Sequence, residues 1–256
     1  MALLECNFVS YSLEHGVNIT VTLPTLSSCD FADNPCHTPR AKYPVLYLLH
    51  GKGNDYQSWL RYTGIGRLAE EQQIAVVTFS CGNRFYLNCP NHENYFDFLE
   101  QELPEFVSGN FPISDRPEDR YLAGLSMGGY GTLIHALSCP AQYAAFGAFS
   151  SPVRTVTASQ EISGAPDVLA LLDGLQKAGG KMPQAYLACG TEDSLFADNR
   201  ELEEAFASRG VPHVWHAVPG YAHEWRFWDM EIVRFLDWLK KEVRTDAYAP
   251  LPLHKI

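Results

Sequence analysis

The residues that could do chemistry are a serine, an acid and a histidine, in that order along the chain. Ser126 stands in Gly124-Leu125-Ser126-Met127-Gly128, between a short apolar run at 120–124 and a helix-compatible run beginning at Thr132. That spacing leaves almost no room for a loop. A strand that reverses into a helix within two or three residues strains the backbone of the central residue and brings the two elements so close that only glycine fits beside it. The result is a G-x-S-x-G elbow, which holds a serine hydroxyl exposed at the carboxyl edge of a sheet. A serine hydroxyl becomes a strong nucleophile only when a histidine takes its proton, and a carboxylate must hold that histidine in one tautomer.

The chain supplies both partners downstream. "ACGTEDSLF" ends an apolar run with Glu192 and Asp193, and "VPGYAHEW" places His223 in a Gly/Pro turn ahead of a helical pattern. Asp193 is preferred to Glu192 as the acid because its turn-favouring side chain precedes a helical stretch. The negative oxygen of a tetrahedral intermediate needs two backbone N–H donors. One is expected from Met127, just after the nucleophile. The other is expected from the "HGKGND" loop, where Gly51-Lys52-Gly53 allows close backbone approach: Lys52 first, Gly51 as the near alternative. Trp59, Tyr86 and Trp225 lie on segments near the same edge and are candidates to line an acyl or aryl pocket. His213 and His216 read as sheet residues and His135 as a helix packing residue.

Elements that would position these groups alternate along the chain. Residues 3–13 and 17–23 read as a β-hairpin, and 24–43 as a loop. Continuous apolar runs at 43–51, 74–79, 120–124, 144–150, 184–190 and 213–218 read as buried parallel strands. Helical patterns fall at about 65–73, 92–109, 127–138, 165–178, 195–209 and 224–242. This pattern predicts one α/β domain over 1–256, a mostly parallel doubly wound sheet with an antiparallel start, in which 151–183 is a short cap-like insertion. Active sites of such sheets gather at the carboxyl ends of the parallel strands, where the segments opening at His50, Ser80, Gly124, Ser150, Gly190 and Pro219 all lie.

Bulk properties narrow the partners. The formal net charge of −11 over 256 residues disfavours nucleic acid and anionic membranes. No apolar run approaches the roughly 18–20 residues of a membrane span, and the first residues lack a basic leader, so a cytoplasmic location is expected. The seven cysteines are odd in number and read as reduced structural residues. Cys29 and Cys36 beside His37, and Cys81 and Cys89 beside His92, match no common zinc spacing and would lie at opposite ends of the sheet, so no metal is expected.

"YPVLYLLHGKGNDYQSW", "FYLNCPNHENYFDFLEQELPEFV", "FPISDRPEDRYLAGLSMGGYGTL" and "PGYAHEWRFWD" together resemble the esterase D-like branch of the α/β-hydrolases. That branch holds tributyrin-type esterases, S-formylglutathione hydrolases, feruloyl esterases and mycolyltransferases. The resemblance covers about residues 1–242. It implies an α/β-hydrolase fold, a Ser126–Asp193–His223 triad, oxyanion donors at Lys52 and Met127, no cofactor, and a small-molecule ester as substrate, with homo-oligomers possible. The expected activity is that of a serine carboxylesterase on short-chain acyl or small aromatic esters. Feruloyl or acetyl esterase action on plant polysaccharide fragments is the alternative. S-formylglutathione hydrolysis ranks lower because no cysteine follows the "HG" segment closely, and a non-catalytic binding module ranks lower still because the triad is unbroken.

Overall fold

A computed structural model describes residues 1–25, 39, 42–90, 92–154 and 164–244. The elements follow in chain order as β1 (Ala2–Val9), β2 (Gly16–Leu23), β3 (Val45–Leu49), α1 (Ser58–Tyr62), α2 (Ile65–Gln72) and β4 (Ala75–Phe79). Then come β5 (Asn88–Cys89), β6 (Glu93–Asn94), α3 (Tyr95–Asp97), a π-helical turn (Phe98–Glu102), α4 (Leu103–Asn110), β7 (Arg120–Leu125), α5 (Met127–Ser138) and β8 (Ala145–Phe149). The chain continues through α6 (Val168–Lys177), β9 (Gln184–Gly190), α7 (Phe196–Ser208), β10 (His213–Val218) and α8 (Trp225–Trp238).

Eight strands form one sheet in the order β1-β2-β4-β3-β7-β8-β9-β10. β1 and β2 are antiparallel, β2 meets β4 antiparallel, and every pairing from β4 to β10 is parallel. This is the mainly parallel, doubly wound α/β sheet with an antiparallel start that the alternating pattern predicts. β3, β4, β7 and β8 are buried along their whole length, which is why they read as unbroken apolar runs. β1 alternates between half-buried and exposed residues, as an edge strand with one wet face should.

Two apolar layers cover the sheet. On one face Leu133 and Ile134 of α5, Leu172 of α6 and Leu202 and Phe206 of α7 pack with Tyr47, Val77 and Phe146. On the other, Ile65 and Leu68 of α2 and Phe227, Ile232 and Phe235 of α8 pack with Leu46, Val76 and Phe149. Glu102, buried in the π-helical turn, accepts hydrogen bonds from the Ser10 hydroxyl and from the backbone N–H groups of Tyr11 and Ser12. That carboxylate fixes the end of β1 to the helical layer.

The predicted helix at 92–109 is therefore split, and α1 and the β5/β6 pair add to what the sequence pattern suggested. Cys29, Cys36 and His37 lie outside the described residues, as do 155–163 of the expected insertion. Among the described residues no group of three or more His, Cys, Asp or Glu side chains is placed to hold a metal ion, and no helix is long and apolar enough to cross a membrane.

Register fixes the site. Leu49 of β3 pairs with Gly124 of β7, Leu125 pairs with Phe149 of β8, Ala188 of β9 pairs with Phe149, and Val218 of β10 pairs with Gly190. The loops opening at 50, 126, 150, 190 and 219 thus emerge side by side at one edge.

The tightness of this edge is testable through glycine. A Cβ on Gly128 would lie 2.5 Å from the Leu49 carbonyl oxygen and 2.8 Å from that of His50, both backbone atoms that cannot swing away. A Cβ on Gly174, inside α6, would meet nothing within 4 Å. Gly128→Ala is expected to cost about 3 kcal/mol or more, whereas Gly174→Ala should gain roughly 0.5–1 kcal/mol. Urea titrations of the two variants check both signs.

Candidate active site

Ser126 sits at the N-terminus of α5 with φ 52° and ψ −118°, a left-handed conformation that side chains avoid. Its own N–H donates to the Phe149 carbonyl at 2.8 Å, and its carbonyl accepts from Tyr130 N–H at 3.0 Å. Gly124 and Gly128 lie so close that a Cβ on Gly124 would strike the Gly128 backbone. The elbow is therefore held by backbone contacts on both sides, and the serine side chain projects past them, half-buried.

His223 follows β10 in the turn before α8. Its Nε2 is 3.0 Å from Ser126 Oγ, and its Nδ1 is 3.1 and 2.9 Å from Asp193 Oδ1 and Oδ2. The carboxylate can only accept, so Nδ1 carries the proton and Nε2 is free to accept from the serine hydroxyl. The Asp193 side chain is fully buried while that of His223 is one-third exposed. Burial alone would push the Asp193 carboxyl up. Hydrogen bonds from His223 and the Leu195 N–H (2.8 Å) outweigh that and hold it below the usual carboxylate range. Two backbone bonds across the β9 and β10 loops, Thr191 N–H to Val218 O and Glu192 N–H to Tyr221 O, lock the acid and the histidine turns together. Glu192 itself is exposed.

The loop after β3 lies against the elbow: a Cβ on Gly51 would be 2.6 Å from Leu125 Cδ1 and 3.5 Å from Ser126 Cβ. Its peptide orientation is fixed by His50, which is buried. His50 Nε2 accepts from Cys81 N–H at 3.1 Å, so Nδ1 bears the proton and donates to Gly51 O at 2.8 Å. Asn54 N–H donates to the same Gly51 carbonyl at 3.2 Å. Because the Gly51–Lys52 peptide is planar and trans, anchoring its carbonyl fixes its N–H in the opposite direction. Met127 occupies the first position of α5, where backbone N–H groups have no partner within the helix. The helix dipole adds positive character there.

The aromatic candidates separate. Trp59 and Tyr86, expected to line a pocket, are instead sealed inside, 1% and 0% exposed. Trp59 Nε1–H donates to the Leu49 carbonyl at 2.9 Å, and the Tyr86 hydroxyl donates to the His50 carbonyl at 2.9 Å. Both brace the carboxyl end of β3, Trp59 from one apolar layer and Tyr86 from the other. Trp225 remains half-buried, stacked on exposed Tyr62 at 4.8 Å between ring centroids and edge-on to Trp228 at 5.4 Å. His135 is a buried packing residue of α5, bonded to Glu100 and to the Tyr86 carbonyl. His213 and His216 lie in β10. The sequence flagged His50 by its position after a strand but gave it no task; its two ring bonds appear only in three dimensions.

A sharply turned serine, a histidine within hydrogen-bond reach, a buried acid behind it and a pinned backbone loop beside it define the geometry of a serine hydrolase. Residues 10–239 match the family described as "Putative esterase", and the chain belongs to that family. It is a carboxylic ester hydrolase. It is similar to an acetyl esterase of Caldicellulosiruptor saccharolyticus, 30% identical over 94% of this chain and 99% of that protein. Among solved structures it is similar to FphF, a fluorophosphonate-binding serine hydrolase of Staphylococcus aureus. There the TM-score is 0.82 at 27% identity, over 94% of this chain and 99% of that one. It is also similar to the S-formylglutathione hydrolase FrmB of Staphylococcus aureus, with TM-score 0.81 at 27% identity over the same shares of the two chains.

His50 makes a prediction of its own. Burial lowers its pKa from the ordinary 6.5, against weaker opposition from the Gly51 bond and the Asp55 charge. Protonation would set an N–H against the Cys81 N–H. The folded state therefore resists a proton that the unfolded chain accepts, so this stability is full above pH 6.5 and is lost as pH falls through the lower folded value. Thermal melts between about pH 5 and 8 should show wild-type stability falling on the acid side, and a shallower fall in His50→Asn. Equal slopes would rule the assignment out.

Proposed function

We propose that the protein is a serine esterase that hydrolyses short-chain acyl esters, acetyl to butyryl, through a covalent acyl-enzyme. The observation that carries this reading is the continuous Ser126–His223–Asp193 hydrogen-bond chain at the loop edge of the sheet. Ser126 Oγ attacks the ester carbonyl while His223 Nε2 accepts its proton. The Lys52 and Met127 N–H groups receive the oxyanion, with the Gly51 backbone carrying the Lys52 donor. His223 then gives the proton to the departing alkoxide, and a water activated by the same nitrogen releases the acid. Asp193 holds the tautomer and stabilises the imidazolium throughout. This chemistry needs no cofactor.

Two points support a small acyl group. The acetyl esterase relative is matched along nearly the whole of both chains. Trp59 and Tyr86 are buried and so offer no surface to a long acyl chain. The half-exposed Trp225–Tyr62 stack favours a second reading, in which an aromatic ester such as a ferulate is accepted as well.

A kcat/KM series from p-nitrophenyl acetate through butyrate to octanoate, with methyl ferulate alongside, tests the substrate class. Activity should peak at acetate to butyrate; a peak at octanoate would reject the short-chain reading, and a preference for ferulate would establish the second. Ser126→Ala should fold normally and lose at least about 10⁴-fold in kcat. It should also fail to react with a fluorophosphonate probe that labels the wild type.

A further inference from the structure

Asn199 lies near the start of α7 and is 1% exposed. Asparagine is a poor helix former, and burying its amide is costly unless the oxygen and both N–H groups find partners. Here they do. Asn199 Oδ1 accepts from Ser151 N–H at 3.0 Å, and Nδ2 donates to the carbonyls of Ser151 at 3.0 Å and Leu195 at 2.8 Å. These partners fix the orientation of the amide, since the flipped group would set its NH₂ against an N–H and its oxygen against two carbonyls.

The bonds of Asn199 join the two halves of the site. Leu195 follows the acid by two residues, and its N–H donates to Asp193 Oδ1 at 2.8 Å. Asn199 thus holds, by its carbonyl, the residue whose N–H holds the acid. On the other side, Ser151 belongs to the segment leaving β8, which is built into the nucleophile elbow. Phe149, at the end of β8, accepts the Ser126 N–H at 2.8 Å, and a Cβ on Gly129, in the first turn of α5, would strike Ser151 Oγ. A path of buried hydrogen bonds and close packing therefore runs from Asp193 to the elbow without passing through His223.

We infer that Asn199 is a positioning residue that sets the separation between the acid turn and the nucleophile elbow. The inference rests on the triad reading above. An imidazole ring is rigid and its two nitrogens have a fixed spacing, so a shift of either partner lengthens one of the two bonds that the ring makes. With Asn199 in place, His223 finds Asp193 Oδ2 at 2.9 Å on one side and Ser126 Oγ at 3.0 Å on the other.

The test uses the full-length protein with Asn199→Leu and Asn199→Ala, assayed on p-nitrophenyl acetate. Leu103→Ala, which opens the core at a buried residue of α4, serves as the control for lost thermal stability. Asn199→Leu keeps the side-chain volume and removes every bond of the amide. Asn199→Ala leaves room for a water that can bridge Ser151 and Leu195 in its place. Asn199→Leu should lower kcat about 10- to 100-fold with KM held within about two-fold. Asn199→Ala should lose less, about 3- to 10-fold, and Leu103→Ala should keep kcat within about two-fold. The low-field proton resonance of His223 Nδ1–H should shift in both Asn199 variants and stay in place in Leu103→Ala. A residue that only stabilised the fold would leave that resonance where it is.

Wild-type kcat in Asn199→Leu, a reduced kcat with an unmoved Nδ1 resonance, or an equal loss in Leu103→Ala would overturn the inference. Should Asn199→Leu fail to fold, Asn199→Ala decides by the same two readouts. Failure of both to fold beside a folded Leu103→Ala would overturn it as well, because Asn199 would then determine the fold and not the spacing of the site. Loss of activity in Ser126→Ala beside wild-type activity in Asn199→Leu would reject this inference alone. Retained activity in Ser126→Ala would reject the triad reading on which it depends.

Discussion

Everything at the reactive edge depends on one local constraint, the reversal from β7 into α5 at a residue whose backbone is held at φ 52°. That conformation is unfavourable by roughly 1–3 kcal/mol for a serine and persists only because its surroundings over-determine it. The Ser126 N–H is bonded to β8, its carbonyl starts the α5 ladder, and the β7 and α5 backbones meet at two glycines. The approach is so close that helix and strand cannot slide relative to one another. A hydroxyl carried on this turn therefore has little freedom, and the entropy of fixing it is expended in folding rather than at each encounter with substrate.

The sheet register then converts that single fixed point into a site. Parallel neighbours β3, β7, β8, β9 and β10 end at the same level, so each contributes one loop and no loop needs to be long. The acid and histidine turns are joined to each other by two backbone bonds before any side chain is considered. Electrostatics follows from this placement. The protein carries an overall net charge of −11, yet the one carboxylate that touches His223 is stripped of water and surrounded by donors. In that setting its charge acts on the imidazole with little screening. The His223 ring, by contrast, is one-third exposed and meets solvent, as the proposed exchange of protons with an alcohol and a water would require.

The elements most legible in the sequence were those whose two faces are both buried. Runs such as "VLYLL" and "AVVTF" have no polar alternation to confuse, and the strand order along the chain put Ser126, Asp193 and His223 on one edge. Direction was harder to read than position. Trp59, in α1, and Tyr86, in a loop, do lie near that edge, but both turn inward to satisfy backbone carbonyls. Tyr86 does so from a left-handed backbone at φ 62°, which nothing about a tyrosine announces. The π-helical turn at Phe98–Glu102 was equally hidden. It presents Glu100 to His135 and Glu102 to the β1–β2 turn, two buried carboxylates whose partners are distant in sequence. Periodicity cannot report a residue whose partner lies tens of positions away.

Behind the groups that would meet a substrate lies a second tier of buried polar atoms, also at strand ends. His50 after β3 holds the Gly51 carbonyl, Tyr86 holds the carbonyl of His50, and Ser150 after β8 accepts from the Trp228 indole N–H. None of these side chains has surface to spare, and those of His50 and Tyr86 hold the backbone of the loop beside Ser126. Such an arrangement answers a difficulty peculiar to loop-borne sites. Loops are the mobile parts of a fold, yet acyl transfer tolerates errors of only a fraction of an ångström. A loop whose carbonyls and carboxylate are tied to the ends of buried strands inherits the rigidity of the sheet. Trp225 is held by ring contacts with Trp59 and Trp228, and Tyr62 by its stack on Trp225. Rigidity is thus concentrated at the strand ends and loops that carry Ser126, Asp193 and His223, whereas the Tyr62–Trp225 stack rests on ring contacts.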